Sequence, residues 1–202
     1  MNQLVHKVKW NHINNMPVPY YVISLNVPWR KLSYLTEKMR DYEIDIRKAY
    51  IEKNKSTLYL KGTKGTRLSN LKQAFVKEIL ETGYTDYDYD YEYNIDNYRQ
   101  IKIPCETEIQ MYSVPNINYT TLEFSCKDRI GLLSDMMRLI ESFPYQLDKG
   151  YISTIGPYAH NLFFLQNNNK ALNKNDMTYI SNIFEYEIKE CILQSNIQDI
   201  SM

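Results

Sequence analysis

Apolar residues recur along this chain at two periods. From Tyr20 to Val27 they alternate, with Tyr21, Ile23, Leu25 and Val27 on one side, the period of a half-buried strand. Pro28 closes that strand. Leu32, Leu35, Met39 and Tyr42 then recur at helical spacing, so Trp29 to Asp41 is expected as an amphipathic helix. Ile44 to Ile51 and Ser56 to Lys61 read as two strands joined by a turn at Lys53, Asn54 and Lys55. After a break at Gly62 to Gly65, Leu68, Leu71, Phe75, Ile79 and Leu80 predict a second helix, which Gly83 ends. The order β-α-β-β-α opens a ferredoxin-like unit.

The second half repeats the pattern. Thr120 to Cys126 alternates, with Leu122, Phe124 and Cys126 on one face. A loop, Lys127 to Gly131, leads to an amphipathic helix through Leu132, Leu133, Met136, Met137, Ile140 and Phe143, stopped by Pro144. Tyr145 to Ile155 and Tyr158 to Leu165 are strands around a turn at Gly156 and Pro157. Asn173 or Asn175 caps a last helix running through Met177, Ile180, Phe184, Ile188, Cys191 and Leu193. Leu32 matches Leu132 and Ile51 matches Ile152, so one unit is repeated at an offset of about 100 residues. The expected fold class is α+β: two ferredoxin-like βαββαβ units with antiparallel sheets and helices on one face. The expected boundaries are an N-terminal segment 1–19, a first unit 20–112, a second unit 113–193 and a tail 194–202. Between the units, Ile101 to Ile103 or Glu106 to Tyr112 supplies a fourth strand, and Gly83 to Tyr93 is an acidic, tyrosine-rich linker.

Composition narrows the function. Lys plus Arg is 24 and Asp plus Glu is 24, which argues against a protein that coats DNA by neutralising phosphates, though not against a local basic patch. Apolar runs such as Leu162 to Leu165 are far too short to span a membrane. Cys105, Cys126 and Cys191 are isolated, which excludes a disulfide scaffold and gives no zinc-site spacing; small core residues are expected. Tyr 19, Asn 19, Ile 21 and Lys 17 against Ala 4 is the usage of a low-GC genome, such as a plastid. The first ten residues lack the apolar stretch of a secretory signal. A cytoplasmic protein is expected, or one of the plastid stroma if organelle-encoded.

One segment carries recognisable chemistry. Tyr119 to Asp135 includes Asp128-Arg129-Ile130-Gly131-Leu132-Leu133 at a strand-to-helix turn, followed by Ile152-Ser153-Thr154-Ile155-Gly156 and by Ala159 to Leu165. This resembles an ACT domain, a small amino-acid-binding module, and is most similar to the tandem ACT pair closing bacterial uridylyltransferase/uridylyl-removing enzymes and to plant ACT-repeat proteins. The resemblance covers roughly residues 105 to 193. The first half follows it in topology and register only.

The loop has a physical rationale of its own. A glycine lets backbone N–H groups approach a ligand unobstructed, and a helix starting at Leu132 presents its positive end to a carboxylate. Asp128 either orients the loop, accepts from its amides or meets an ammonium. The bland alternative, that Asp128 and Gly131 only shape a tight turn, stands beside the ligand reading. The resemblance implies a ligand between Asp128, Arg129, Ile130, Gly131 and Leu132 and the second strand of a partner unit. The polar positions matching that strand are Asp45 in the first unit and Gln146 in the second. The first unit's own loop, Asn26 to Arg30, has no glycine, and Trp29 with Pro28 makes a poor carboxylate cradle. At most one such site per chain is expected.

Other features favour plain roles. Gly150 is expected to allow close strand packing, and Ser153 and Thr154 to be ordinary sheet residues. Asp86, Asp88 and Asp90 fail the EF-hand spacing. His6, His12 and His160 do not cluster with acids or cysteines, so neither a metal nor a catalytic residue is expected. No cofactor is implied.

The resulting expectation is a non-catalytic regulatory protein that senses a small amino acid, with glutamine suggested by the resemblance, and signals through a partner protein or a homodimer. The rival is a ligand-free interaction scaffold. No nucleic-acid partner is expected: an RNA-binding ferredoxin-like sheet needs stacking aromatics on its central strands and basic charge, and although the sheet shows Phe163 and Tyr151, the net charge of zero and the lack of an RNP-like segment weigh against it.

Overall fold

Leu32 and Leu132 open equivalent helices in a computed structural model that describes residues 9–13, 20–61 and 106–200, with side chains described at 22–61 and 106–187. The strands are β1 (Lys9–Ile13), β2 (Tyr20–Leu25), β3 (Ile46–Glu52), β4 (Lys55–Lys61), β5 (Glu108–Ser113), β6 (Thr120–Lys127), β7 (Gln146–Ile155) and β8 (Tyr158–Gln166). The helices are α1 (Leu32–Asp41), α2 (Leu132–Glu141) and α3 (Lys174–Ile200), with a short 3-10 turn, Trp29–Lys31, ahead of α1. Among the described residues this is an α+β fold of two ferredoxin-like units. The expected helix over 68–80 and the linker with Asp86, Asp88 and Asp90 lie outside them.

The strands make one antiparallel sheet in the order β1-β2-β4-β3-β7-β8-β6-β5. In each unit the place beside the first strand is filled from upstream in sequence. β1 pairs with β2, and β5 pairs with β6. Residues 108–112, assigned by sequence to the first unit, are thus hydrogen-bonded to the second. Lys9–Ile13, from the expected N-terminal segment, belong to the first unit's sheet.

The units join edge to edge through β3 and β7, with Tyr50 opposite Tyr151 and Ile51 opposite Gly150. The repeat offset is 101 at this point, so Tyr50 and Tyr151 are equivalent residues that face each other. A pseudo-two-fold axis passes between them. Gly150 is needed for packing: a Cβ there would lie 3.2 Å from Phe163 and 3.3 Å from Ile51.

Alternation along each strand sends one set of side chains under the helices. Ile23, Leu25, Ala49, Ile51, Leu58 and Leu60 meet Leu32, Leu35 and Met39 of α1 in a core shared with the second unit. There Phe124 and Phe163 stack at 5.7 Å, and Phe184 of α3 reaches Phe124 and Phe143. Burying each such ring is worth about 1.5–3 kcal/mol. Asn173 caps α3 in a reciprocal box: Asp176 N donates to Asn173 Oδ1 at 3.0 Å, and Asn173 N donates to Asp176 Oδ2 at 3.2 Å. No described helix is long and apolar enough to cross a membrane.

Candidate ligand-binding site

The strand-to-helix loop of the second unit stands at the seam between units. Gly131 has φ +84° and forms the N-cap of α2, a backbone conformation that L side chains rarely adopt. The loop is closed on itself by Leu132 N donating to Arg129 O, and is fixed to the β7–β8 turn by Asp128 N donating to Pro157 O at 2.8 Å. So Asp128 and Gly131 do shape a turn.

Asp128 also does more. Its Oδ2 accepts from Thr154 Oγ1 at 2.8 Å and from Arg47 Nη1 of the first unit at 3.0 Å. Arg47 Nε lies 3.3 Å from Asp45 Oδ2. Asp45 and Asp128 therefore share one guanidinium across the seam. Burial pushes the Asp45 carboxyl above its ordinary range; Arg47 opposes this, the charge of Asp128 adds to it, and Lys61 opposes it again.

Beneath this cluster, at the N-terminus of α2, is a cavity of about 20 Å³, room for roughly one water molecule. Ile44, Ile46, Gly131, Ser134, Thr154 and Asn161 are among its lining residues. The Ser134 hydroxyl is fully buried and has no hydrogen-bond partner among the described residues. An unsatisfied buried hydroxyl costs about 1–3 kcal/mol, so it is a standing demand for a polar occupant.

A second polar knot lies behind the loop. Asp135, 2% exposed, is held by Arg129 and by Arg40 Nη1 of α1, the latter at 2.9 Å. Arg40 also meets Glu37 at 3.1 Å. The space a Cβ on Gly131 would take belongs to the Arg40 stem, whose Cδ would be 2.2 Å away.

The sequence-predicted residues divide cleanly. Asp128, Gly131, Leu132 and Asp45 come together at the seam. Arg129 turns back to Asp135 and to the Ile130 carbonyl, and the Ile130 side chain is 45% exposed. Gln146 does not join them. It begins β7, eight residues before Thr154, which at about 3.3 Å per residue is roughly 26 Å away. Its place is beside the opposite seam, where the first unit's loop is closed by Trp29, 5% exposed, whose N–H donates to Lys53 O at 3.1 Å. Arg47 and Ser134 were not singled out from sequence. A register shift between Ile46 and Lys48 swings Arg47 toward Asp128, and a bulge of that kind leaves no sequence mark. Among the described residues no group of His, Cys, Asp and Glu is arranged to hold a metal ion.

No family model and no curated protein matches the chain. Its fold is similar to a solved structure, the crystal structure of aspartate kinase from Synechocystis, with 11% identity, 87% of this chain and 27% of that chain covered, and a TM-score of 0.48. The chain thus spans about a quarter of that protein's length.

Proposed function

We propose that the chain is a non-catalytic regulatory protein that senses a small amino acid at the seam between its two units. The observation that carries this reading is the Asp45–Arg47–Asp128 cluster over the α2 N-terminus. A zwitterion is its complement. The carboxylates of Asp45 and Asp128 meet the ligand ammonium. The ligand carboxylate takes the Arg47 guanidinium and the amides at the start of α2. The cavity is too small for an amino acid as it stands, so binding must open the Arg47–Asp128 pair. Arg47 and Asp128 belong to different units, so the ligand acts on the relation between units, which is what a sensor requires. The signal then passes to a partner protein or to a second copy of this chain. Glutamine is the first amino acid to try.

The closed ion pair is also the specific observation that favours the rival, a ligand-free scaffold whose arginine has taken the ligand's place. Thermal-shift and calorimetric titration of the full chain with each of the twenty amino acids separates the two. Binding that raises Tm in wild type and falls tenfold or more in Asp128→Asn supports the sensor. No heat and no shift with any amino acid leaves the scaffold.

A further inference from the structure

Among the described residues the helices pack on one face of the sheet. On the other face, alternation along the central strands β4, β3, β7 and β8 brings a row of aromatic rings into register. Tyr59 meets Tyr50 at 5.9 Å, Tyr50 meets Tyr151 at 5.8 Å, and Tyr151 meets Phe164 at 5.7 Å. Tyr119, just before β6, extends the row onto Phe164 at 4.8 Å. Successive rings stand nearly perpendicular, at 79° to 86°, so the row offers both ring faces and ring edges. Tyr151, at the pseudo-two-fold axis, is 41% exposed. Phe163, singled out from the sequence as a stacking candidate, is instead fully buried on the helix side.

The charge on this face is not that of the chain as a whole. Lys48, Lys55, Lys61 and Lys149 are exposed on the four central strands, against Glu52 and the half-buried Asp148 among the acids away from the helix side. The Lys48 ammonium lies 4.9 Å from the Tyr50 ring centre and 5.7 Å from that of Tyr59. A zero net charge therefore conceals a local excess of lysine around partly exposed rings.

We propose that this open face binds single-stranded nucleic acid, with bases stacking along the Tyr59–Tyr50–Tyr151–Phe164 row and phosphates meeting the flanking lysines. A row of rings on central sheet strands with cations beside it is what an unpaired, polyanionic strand needs, whereas a duplex hides its base faces. The row crosses the strands over about 15–20 Å, enough for two or three bases. A second copy fits the face less well, because isologous stacking sets like-charged lysine rows against each other.

The test is fluorescence anisotropy of the full chain with labelled twelve-residue oligo(U) RNA and oligo(dT) DNA at 50 to 200 mM salt. The expected result is saturable binding of one or both, distinguishing RNA from DNA, with affinity falling about two orders of magnitude per decade of salt if some three lysines contact phosphates. Tyr151→Ala should weaken binding roughly five- to hundredfold while Tyr151→Phe retains it. Lys48→Gln, on an exposed side chain that cannot unfold the sheet, should lower the salt slope. Sedimentation of the same proteins without oligonucleotide watches for self-association. Absence of binding at 50 mM salt overturns the proposal, as does binding that Tyr151→Ala and Lys48→Gln leave unchanged. A dimer that Tyr151→Ala dissociates, with no oligonucleotide bound, overturns it in favour of a second copy.

Discussion

Replacing Glu141 by Gln should remove most of the pH dependence of stability between pH 4.5 and 8. Glu141 ends α2, and its carboxyl lies over the start of α1, where Ser33 N donates to Oε1 at 3.3 Å and Ser33 Oγ donates to Oε2. Burial pushes the Glu141 carboxyl up to about 8; the two Ser33 contacts and the charges of Arg30 and Arg138 oppose this without cancelling it. The folded protein therefore keeps a proton on Glu141 that the unfolded chain loses near pH 4.5. Where the native state holds more protons, stability falls as pH rises. The interval from 4.5 to about 8, at about 1.36 kcal/mol per unit, sets a ceiling near 5 kcal/mol on the loss. Urea denaturation of wild type and Glu141→Gln at half-unit steps from pH 4.5 to 9 measures it. The curves should nearly coincide at pH 4.5 and diverge upward, with the variant the more stable above pH 8. Parallel curves, or a wild type that gains stability across this range, would refute the reasoning.

Three further outcomes are expected. Gly131→Ala should cost about 1–3 kcal/mol, because an L side chain at φ +84° is strained and its Cβ displaces the Arg40 stem; chemical denaturation with an unchanged midpoint would show the loop to be slack. Asp135→Ala should cost about 3–5 kcal/mol, since it removes the buried carboxylate that Arg40 and Arg129 share, and double-mutant cycles with Arg40→Ala should show strong coupling. Cys126, 2% exposed and with its thiol pushed up to about 11 by burial, should resist thiol reagents at pH 8 in a Cys105→Ser/Cys191→Ser background until urea unfolds the chain.

Much of the fold was legible because it rests on period. The two alternating stretches and the helix stripes at Leu32 and Leu132 place β2, β6, α1 and α2 within about two residues of where they lie, and the 100-residue offset yields the pairing of units. Two things were not legible. Which unit owns an edge strand depends on pairing partners, not on the strand's own pattern, so Glu108–Ser113 were divided wrongly between neighbours. Local register was the other: the shift at Ile46/Lys48 makes Arg47, rather than Asp45 alone, the residue that crosses to Asp128. The loop itself announced its backbone through Gly131, but the occupant of its surroundings could be found only once Arg40 was seen against it. Gly131→Val is for that reason no clean probe of ligand contact, since it also disturbs the Arg40–Asp135 pair.

The two seams of the pseudo-dimer are equivalent in backbone and opposite in chemistry. At one, Gly131 and Asp128 line a small cavity at the start of α2, and Asp128 meets Arg47, which also meets Asp45. At the other, Pro28 lacks an N–H and Trp29 fills the space, with its amide already given to Lys53. The helix ends show the same exchange. The end of α1 reaches the start of α2 through a charged pair, Arg40 with Asp135. The end of α2 reaches the start of α1 through a carboxyl that stays protonated to about pH 8. One seam thus joins the helices through an ion pair and the other through a serine–carboxyl contact. On the proposed reading a zwitterion enters at the Gly131 seam, and any change it brings about is applied from one side of the Tyr50–Tyr151 axis.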